Sequence, residues 1–391
     1  MTRNITPDDL QSWKQVALAD IAEFSNGKPY ENFIDQHGKN LLITLDSVDI
    51  YGELKSQHKR TNVEDNSLRE GDIVTVLSDL AHGYLLGLSA LIPKEGCYIL
   101  NQRMGRLRTK ETVSSAFLRL WINAHQLHFR NRGQGTSQRH IYKRDFYSLE
   151  VKVPPLKEQQ AIVDAVTDTN NLIKSLDLLI AKSREIKQGA MQQLLTGKTR
   201  LPGFNSEWVS ASLGSISQVV MGQSPLGQYY NTNGEGLPLI QGNADVSSRQ
   251  TYVRTWTTQS PKTCEKGEVI MTVRAPVGYV ARAHAKIALG RGVCAFRNPT
   301  IDNDFMYQAL IFAENVWEAI SQGTTFTAAN ANEVNSFKLL VPSDRVEQSA
   351  IAEVLMDMDT EIDSLVARRE KSALIKTGMI QALLTGRTRL L

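Results

Sequence analysis

"LLTGKTRLPGF" runs from Leu194 to Phe204, and "LLTGRTRLL" runs from Leu383 to Leu391. The near-identity is the visible end of a longer internal repeat, and self-similarity at a fixed offset governs how the rest of a chain is read. An offset of 189 residues superimposes Lys187, Gly189, Leu194 to Gly197 and Thr199 to Leu201 on Lys376, Gly378, Leu383 to Gly386 and Thr388 to Leu390. The same offset carries Glu158-Gln159 onto Glu347-Gln348 and Ile162, Ile173 and Leu176 onto Ile351, Ile362 and Leu365. Upstream, "VPPLKEQ" answers "VPSDRVEQ" with one residue inserted. More faintly, "WKQVALADIAEFSNG" (Trp13 to Gly27) and "WVSASLGSISQVVMG" (Trp208 to Gly222) share Trp, Leu, Ile and Gly at equal spacing. The order is therefore variable segment, shared segment, variable segment, shared segment. The boundaries expected are 1–153, 154–203, 204–341 and 342–391.

The shared segments read as helices. Proline suits a first helical turn, and Glu158 and Glu347 are placed to complement the dipole there. Apolar residues follow at Ile162, Val166, Ile173, Leu176 and Ile180, and again at Ile351, Leu355, Met358, Ile362 and Leu365. Steps of three, four and seven are those of a coiled-coil seam. Gly197 and Gly386 are natural stops. A helix from Lys157 to Leu195 would be about 58 Å long at 1.5 Å per residue. Two such helices lying antiparallel would relate the variable segments by a pseudo-twofold axis and bring the C-terminus back near the end of the first helix.

The variable segments mix short apolar runs with turn residues. "NLLITLDSVDI", "GDIVTVLS" and "LSALIP" read as strands in the first, and "LPLIQG", "GEVIMTV" and "GYVARAHAKIAL" in the second. Helical patterns fall at Ser115–Leu127 and Asp304–Ala319. The fold class expected is α+β.

With 391 residues, the chain suits more than one core. No apolar run reaches the roughly 20 residues of a membrane span. The start, "MTRNITPDDLQSW", has no secretory apolar region, so a cytoplasmic location is expected. Cys97, Cys264 and Cys294 are scattered without metal spacing and read as buried thiols. Net charge is only +3, so any claim of nucleic-acid binding has to rest on local charge.

That local charge exists. Asn101 to Arg144 holds ten Lys/Arg and one acid, Glu111. Candidate DNA contacts there are Arg103, Arg130, Arg132, Gln134, Thr136, Gln138, Arg139, Lys143 and Arg144. Arginine can grip guanine bidentately, Gln or Asn can grip adenine, and phosphates accept from Lys, Arg and Thr. The matching stretch of the second segment, "SQGTTFTAANANEVN", is uncharged, with Thr324, Thr325, Asn330 and Asn332 as candidates. Arg274 is placed in another loop. Lys28 and Tyr30 after Gly27, and Gln223 and Ser224 after Gly222, complete the set. No phosphate loop, HExxH, GxSxG or Asn/Asp-Pro-Pro-Tyr stretch occurs, so no catalytic residue or metal ligand is indicated.

The whole chain resembles the specificity subunit of a type I restriction–modification system. The likeness rests on Trp-x4-Leu-x2-Ile-x5-Gly at each variable segment, Val-Pro-Pro-Leu-x-Glu-Gln before the first helix, and "LLTGKTRLPGF" after it. It implies two target-recognition domains, each reading half of a bipartite site on double-stranded DNA. It also implies that the helices set the spacer and bind two modification (methyltransferase) subunits, with restriction (motor and nuclease) subunits joining them. S-adenosylmethionine would belong to the modification subunits and ATP and Mg to the restriction subunits, leaving this chain without a cofactor. Val341-Pro342-Ser343-Asp344-Arg345 departs from the Pro-Pro-Leu form, and the first segment lacks an "LPGF" lead. A duplicated coiled-coil scaffold without DNA is the rival reading, and salt-dependent duplex binding separates the two.

Overall fold

The computed structural model describes residues 13–80, 82–317 and 328–390. The chain divides into two compact units, Met1–Leu176 with Arg368–Leu391, and Asp177–Ala367. Each unit takes one half of each of two long helices, Leu156–Leu194 and Arg345–Leu384.

In the first unit a four-stranded antiparallel sheet has the order Ala22–Asn26, Met104–Thr109, Ile73–Val76, Ser89–Leu91. A three-stranded sheet (Lys59–Thr61, Asn40–Ile43, Tyr98–Leu100) lies beside it. In the second unit Gln218–Met221, Val293–Arg297, Val269–Thr272 and Val280–Arg282 repeat the four-strand order within a six-stranded sheet. In both units a strand from the domain's opening pairs with the strand that leads into its long helix. Lys14–Ala17 runs antiparallel to Glu150–Val153, and Trp208–Ser212 antiparallel to Lys338–Pro342. These pairings close each variable segment on itself. "GYVARAHAKIAL" folds as two strands, Val280–Arg282 and Ile287–Leu289, and the first predicted helix breaks into Ser115–Ala124 and Gln126–Arg132.

The long helices pack antiparallel within each unit. In the first, Ile162, Val163 and Val166 share one core with Leu383, Leu384 and the domain residues Phe117 and Trp121. In the second, Met191, Leu194 and Leu195 share one with Ile351, Ala352, Leu355 and Phe305. The predicted seam residues Ile162, Val166, Ile173, Leu176, Ile180, Ile351, Leu355 and Ile362 are buried, and Met358 and Leu365 are half-buried. The stripe extends past Ile180 to Met191, Leu194 and Leu195, a continuation that polar Ser183 and Lys187 conceal in the sequence.

The repeated motifs owe their recurrence to a clasp. Glu158 is buried and accepts from Arg389 (Nη2 to Oε2, 2.7 Å) and from Trp13 Nε1 (3.1 Å). Arg389 also lies over the Trp13 ring, 5.3 Å from its centroid. In the second unit Arg200 grips buried Glu347 (Nη2 to Oε2, 2.6 Å) and lies 5.7 Å over Trp208. The neighbouring glutamines work as a pair too. Gln159 accepts from Ser114 N (2.8 Å) and Gln348 from Asp302 N (2.7 Å), the residues that begin each domain's helix. The glutamates lie in the first helical turn, where they complement the dipole, and they also neutralise arginine, because burial of a carboxylate demands a charged partner. One expectation changes here. The C-terminal motif meets the start of the first helix, not its end, because antiparallel packing brings opposite ends together. Gly197 (φ +68°) and Gly386 (φ +75°) let the chain leave each helix toward that partner.

Candidate nucleic-acid interface

The register of the four-stranded sheets collects the candidate residues at one end of each. In the first unit Asn26 pairs with Gly105, and Met104 with Val76. The residues just beyond, Lys28, Arg103 and Ser78, therefore share that end. Gly27 is required there: a Cβ would stand 2.0 Å from the Asn101 carbonyl oxygen. Lys28 Nζ (3.1 Å) and Tyr30 Oη (2.7 Å) both bond Asp65. Burial pushes the Asp65 carboxyl up, but hydrogen bonds from Tyr30, Ser67 and Lys28 outweigh it and hold it at about 2. Arg103 Nε lies 3.8 Å from Glu31. Lys28 and Tyr30 thus form a fixed polar patch whose charge is partly spent.

Strand Ser78–Leu80 pairs with Gln138–His140 and so brings the basic loop to the same end. Gln134 and His140 exchange backbone hydrogen bonds (2.9 and 2.8 Å) across the exposed turn that carries Thr136. Arg139 donates twice to the Gly133 carbonyl (3.2 and 2.7 Å), so its guanidinium braces the turn. Arg132 bonds the His128 carbonyl in its own helix (3.2 Å). Lys143 and Arg144 open the helix Lys143–Tyr147, each over a tyrosine ring (Tyr147 at 4.9 Å, Tyr142 at 5.4 Å). Arg130 stacks 4.0 Å over Tyr84, which is 59% exposed, with His82 beside it.

Tyr84, His82 and exposed Leu80 escape sequence reasoning, which looks for charge; "SDLAHGYLLG" holds no Lys or Arg. The basic run also overstates the surface. Arg108 pairs with Asp72 (2.7 Å), Arg106 bonds the Ser67 carbonyl (2.9 Å), and Arg119 is buried.

In the second unit Met221 pairs with Cys294, and Thr272 with Val293. Gln223, Ser224, Arg291 and Arg274 therefore share one sheet end. Gln223 N bonds the Leu289 carbonyl (2.9 Å), and the Ser224 hydroxyl accepts from Arg291 N (3.4 Å). Arg274 is exposed and bridges to Ala328, which leads to Asn330. Asn330 is exposed and has a structural task as well: its side-chain oxygen caps the helix Ala331–Ser336, accepting from Asn332 N (2.9 Å) and Glu333 N (3.0 Å). Asn332 is exposed beside it. Thr324 and Thr325 lie outside the described residues. Arg282, His284 and Lys286 are held by Asp304, Thr251 and Glu265.

Cys264 and Cys294 are buried, and burial pushes the Cys294 thiol up to about 12; Cys97 is half-buried. Among the described residues no His, Cys, Asp and Glu side chains group to hold a metal, and no helix is long and apolar enough to cross a membrane.

Comparison with known proteins agrees with this doubling. Residues 11–187 and 205–373 each match the family described as "Type I restriction modification DNA specificity domain". The "Putative type I restriction enzyme MjaX specificity subunit" of Methanocaldococcus jannaschii is 29% identical over 66% of this chain and 63% of its own length. The MjaVIII specificity subunit of the same organism is 20% identical over 97% of this chain and 93% of its own. Among solved structures, the type I restriction-modification S subunit from M. genitalium covers 98% of this chain and 99% of its own, with TM-score 0.65 at 14% identity, a likeness of fold. The chain belongs to the type I restriction-modification specificity family, and it carries the family's domain twice.

Proposed function

We propose that this chain reads a bipartite target on double-stranded DNA, one half with residues 1–153 and the other with residues 204–341. The observation that carries the reading is the doubled family domain on two sheets of the same strand order. Each gathers its contact residues at the same sheet end, but with different chemistry. The first offers Arg130 on Tyr84, Lys28, Arg103 and Arg144; the second offers Gln223, Ser224, Arg274, Arg291 and Asn332. Phosphate contacts supply affinity and salt dependence, and base contacts in the major groove supply specificity.

The shared helical regions, 154–203 and 342–391, space the two domains and dock two modification subunits. Residues such as Ile162 and Leu355 are buried in the intrachain seam, so the docking surface is made by other side chains. Leu178 (73% exposed), Ile186 (54%) and Leu374 (75%) are among the apolar residues these helices leave to solvent. The chain itself is non-catalytic and works in the cytoplasm. Adenine is methylated by the partners with S-adenosylmethionine, and restriction subunits carry ATP and Mg.

Arg130→Ala tests the first half. It is expected to weaken duplex binding about tenfold and to lower the slope of log affinity against log salt by about 1. The measurement is anisotropy titration of the assembled complex from 50 to 200 mM salt, those limits being about the range over which such contacts fade. Bases of the second half should keep their discrimination. Equal loss at both halves removes Arg130 from the recognition set. No duplex binding at any salt concentration favours the scaffold.

A further inference from the structure

The internal repeat supplies its own control for one buried position. In the second unit Lys187 Nζ stands 2.6 Å from both carboxylate oxygens of Asp359, and Gln308 Nε2 donates to the same group at 2.9 Å. The ammonium is satisfied from within the chain. The offset of 189 places Lys376 at the position of Lys187 in the first unit, and Asn170 at the position of Asp359. Leu120 takes the place of Gln308, the sixth residue of the equivalent domain helix. The lysine is retained, and both groups that satisfied it are gone.

A cavity of about 720 Å³ lies at this point, wholly within the first unit. Lys376, Asn170 and Gln126 bring polar atoms to it, and Trp121, Leu120 and Ile380 give it apolar walls. Gln126 Nε2 is buried there without a hydrogen-bond partner. Lys376 is half-buried, with its ammonium 5.3 Å from the centroid of the Tyr51 ring. Among the described residues neither Lys376 nor neighbouring Arg119 joins a salt bridge. Arg119 is buried, donates to the Gly52 carbonyl (2.8 Å) and leaves its Nε unpartnered. The nearby acids are engaged elsewhere: Glu53 with Lys174, Asp49 with the backbone of Tyr51 and Glu53, Glu150 with Gln15. Burial first, and then the Arg119 charge, lower the Lys376 ammonium from its ordinary range. Glu53 and Asp49 oppose that lowering without forming an ion pair, and Glu150, which also lines the cavity, is bonded to Gln15. A half-buried cation without an ion pair, sharing a cavity with an unpartnered amide donor, favours an anion.

We infer that this cavity binds a small organic acid, its carboxylate on Lys376 and Gln126 and its apolar body against Trp121 and Leu120. Such a volume, with apolar walls and polar groups both lining it, is that of a small-ligand site. The acid takes the place that the Asp359 carboxylate fills in the other unit.

The test is titration calorimetry of the full-length protein with phenylacetate, and separately with an acetylated, amidated glutamate dipeptide. Saturable phenylacetate binding is expected, weakened about tenfold or more by Lys376→Met, which removes a charge-assisted contact. Asn170→Asp should abolish it, because an internal carboxylate then occupies the lysine, and should raise the melting temperature only while Lys376 is present. Lys187→Met should leave binding unchanged. Absence of phenylacetate binding, equal binding by all variants, or binding of the dipeptide alone would overturn the inference.

Discussion

Replacing Arg389 by Ala is expected to destabilise the first unit by about 3–5 kcal/mol, the usual cost of stranding one partner of a buried ion pair. The side chains of both Arg389 and Glu158 are almost wholly removed from solvent, at 5% and 2% exposure. The loss also removes the cation over Trp13 and leaves Glu158 with the indole N–H alone. Calorimetry should show the melting transition lowered by on the order of 10 °C. Arg389→Lys should recover only part of that, because an ammonium cannot grip a carboxylate with two parallel bonds. Arg200→Ala is the equivalent change in the second unit. There the Glu347 carboxyl is pushed up by burial but held below its ordinary value overall by Arg200 and Ser206. A depressed folded-state pKa means the clasp stabilises fully above the ordinary glutamate pKa and weakens as pH falls through the lowered value. Arg200→Ala should therefore cost less in acid than at neutral pH. Equal melting of Arg389→Ala and the parent protein would refute the clasp.

The second large effect concerns the spacer. Inserting seven residues into each long helix keeps the apolar stripe in phase and lengthens each by about 10 Å. At 3.4 Å per base pair that is about three base pairs. The parent helices, 39 and 40 residues, are about 58–60 Å long, a length equal to about 17 base pairs. The lengthened protein should modify DNA at a wider gap with both half-sites unchanged, and its modification at the parent spacing should be lost. An unchanged gap would show that the helices do not set it. Inserting into one helix alone should impair folding, because the clasps at the two ends could not both close.

The organisation was legible because it is written twice. The 189-residue offset marks the helices, their stops and the order of segments without any structural input. The clasp was not legible: Glu158 and Arg389 are 231 residues apart, and nothing local in either motif names its partner. Apolar period located the seam up to Ile180 and lost it where Ser183 and Lys187 interrupt, although Lys187 is held there by Asp359. The interface was half legible. Charge pointed to Arg130 and the loop around Thr136, but the same run includes Arg106 and Arg108, held by the Ser67 carbonyl and Asp72, and buried Arg119. Tyr84 was passed over because an exposed aromatic in a turn has no sequence signature. Asn330, read as a base contact, also caps a helix, a role that Asn followed three residues later by Glu signals.

The central claim is that one chain specifies both halves of a split site. The most direct measurement is a map of modified adenines in a host without adenine methylation of its own, expressing this protein with its modification subunit. The expected result is one split motif, two short specified halves around a fixed unspecified gap, with Arg130→Ala relaxing one half only. A single uninterrupted motif, or no modified adenine from a soluble complex with an intact partner active site, would contradict it.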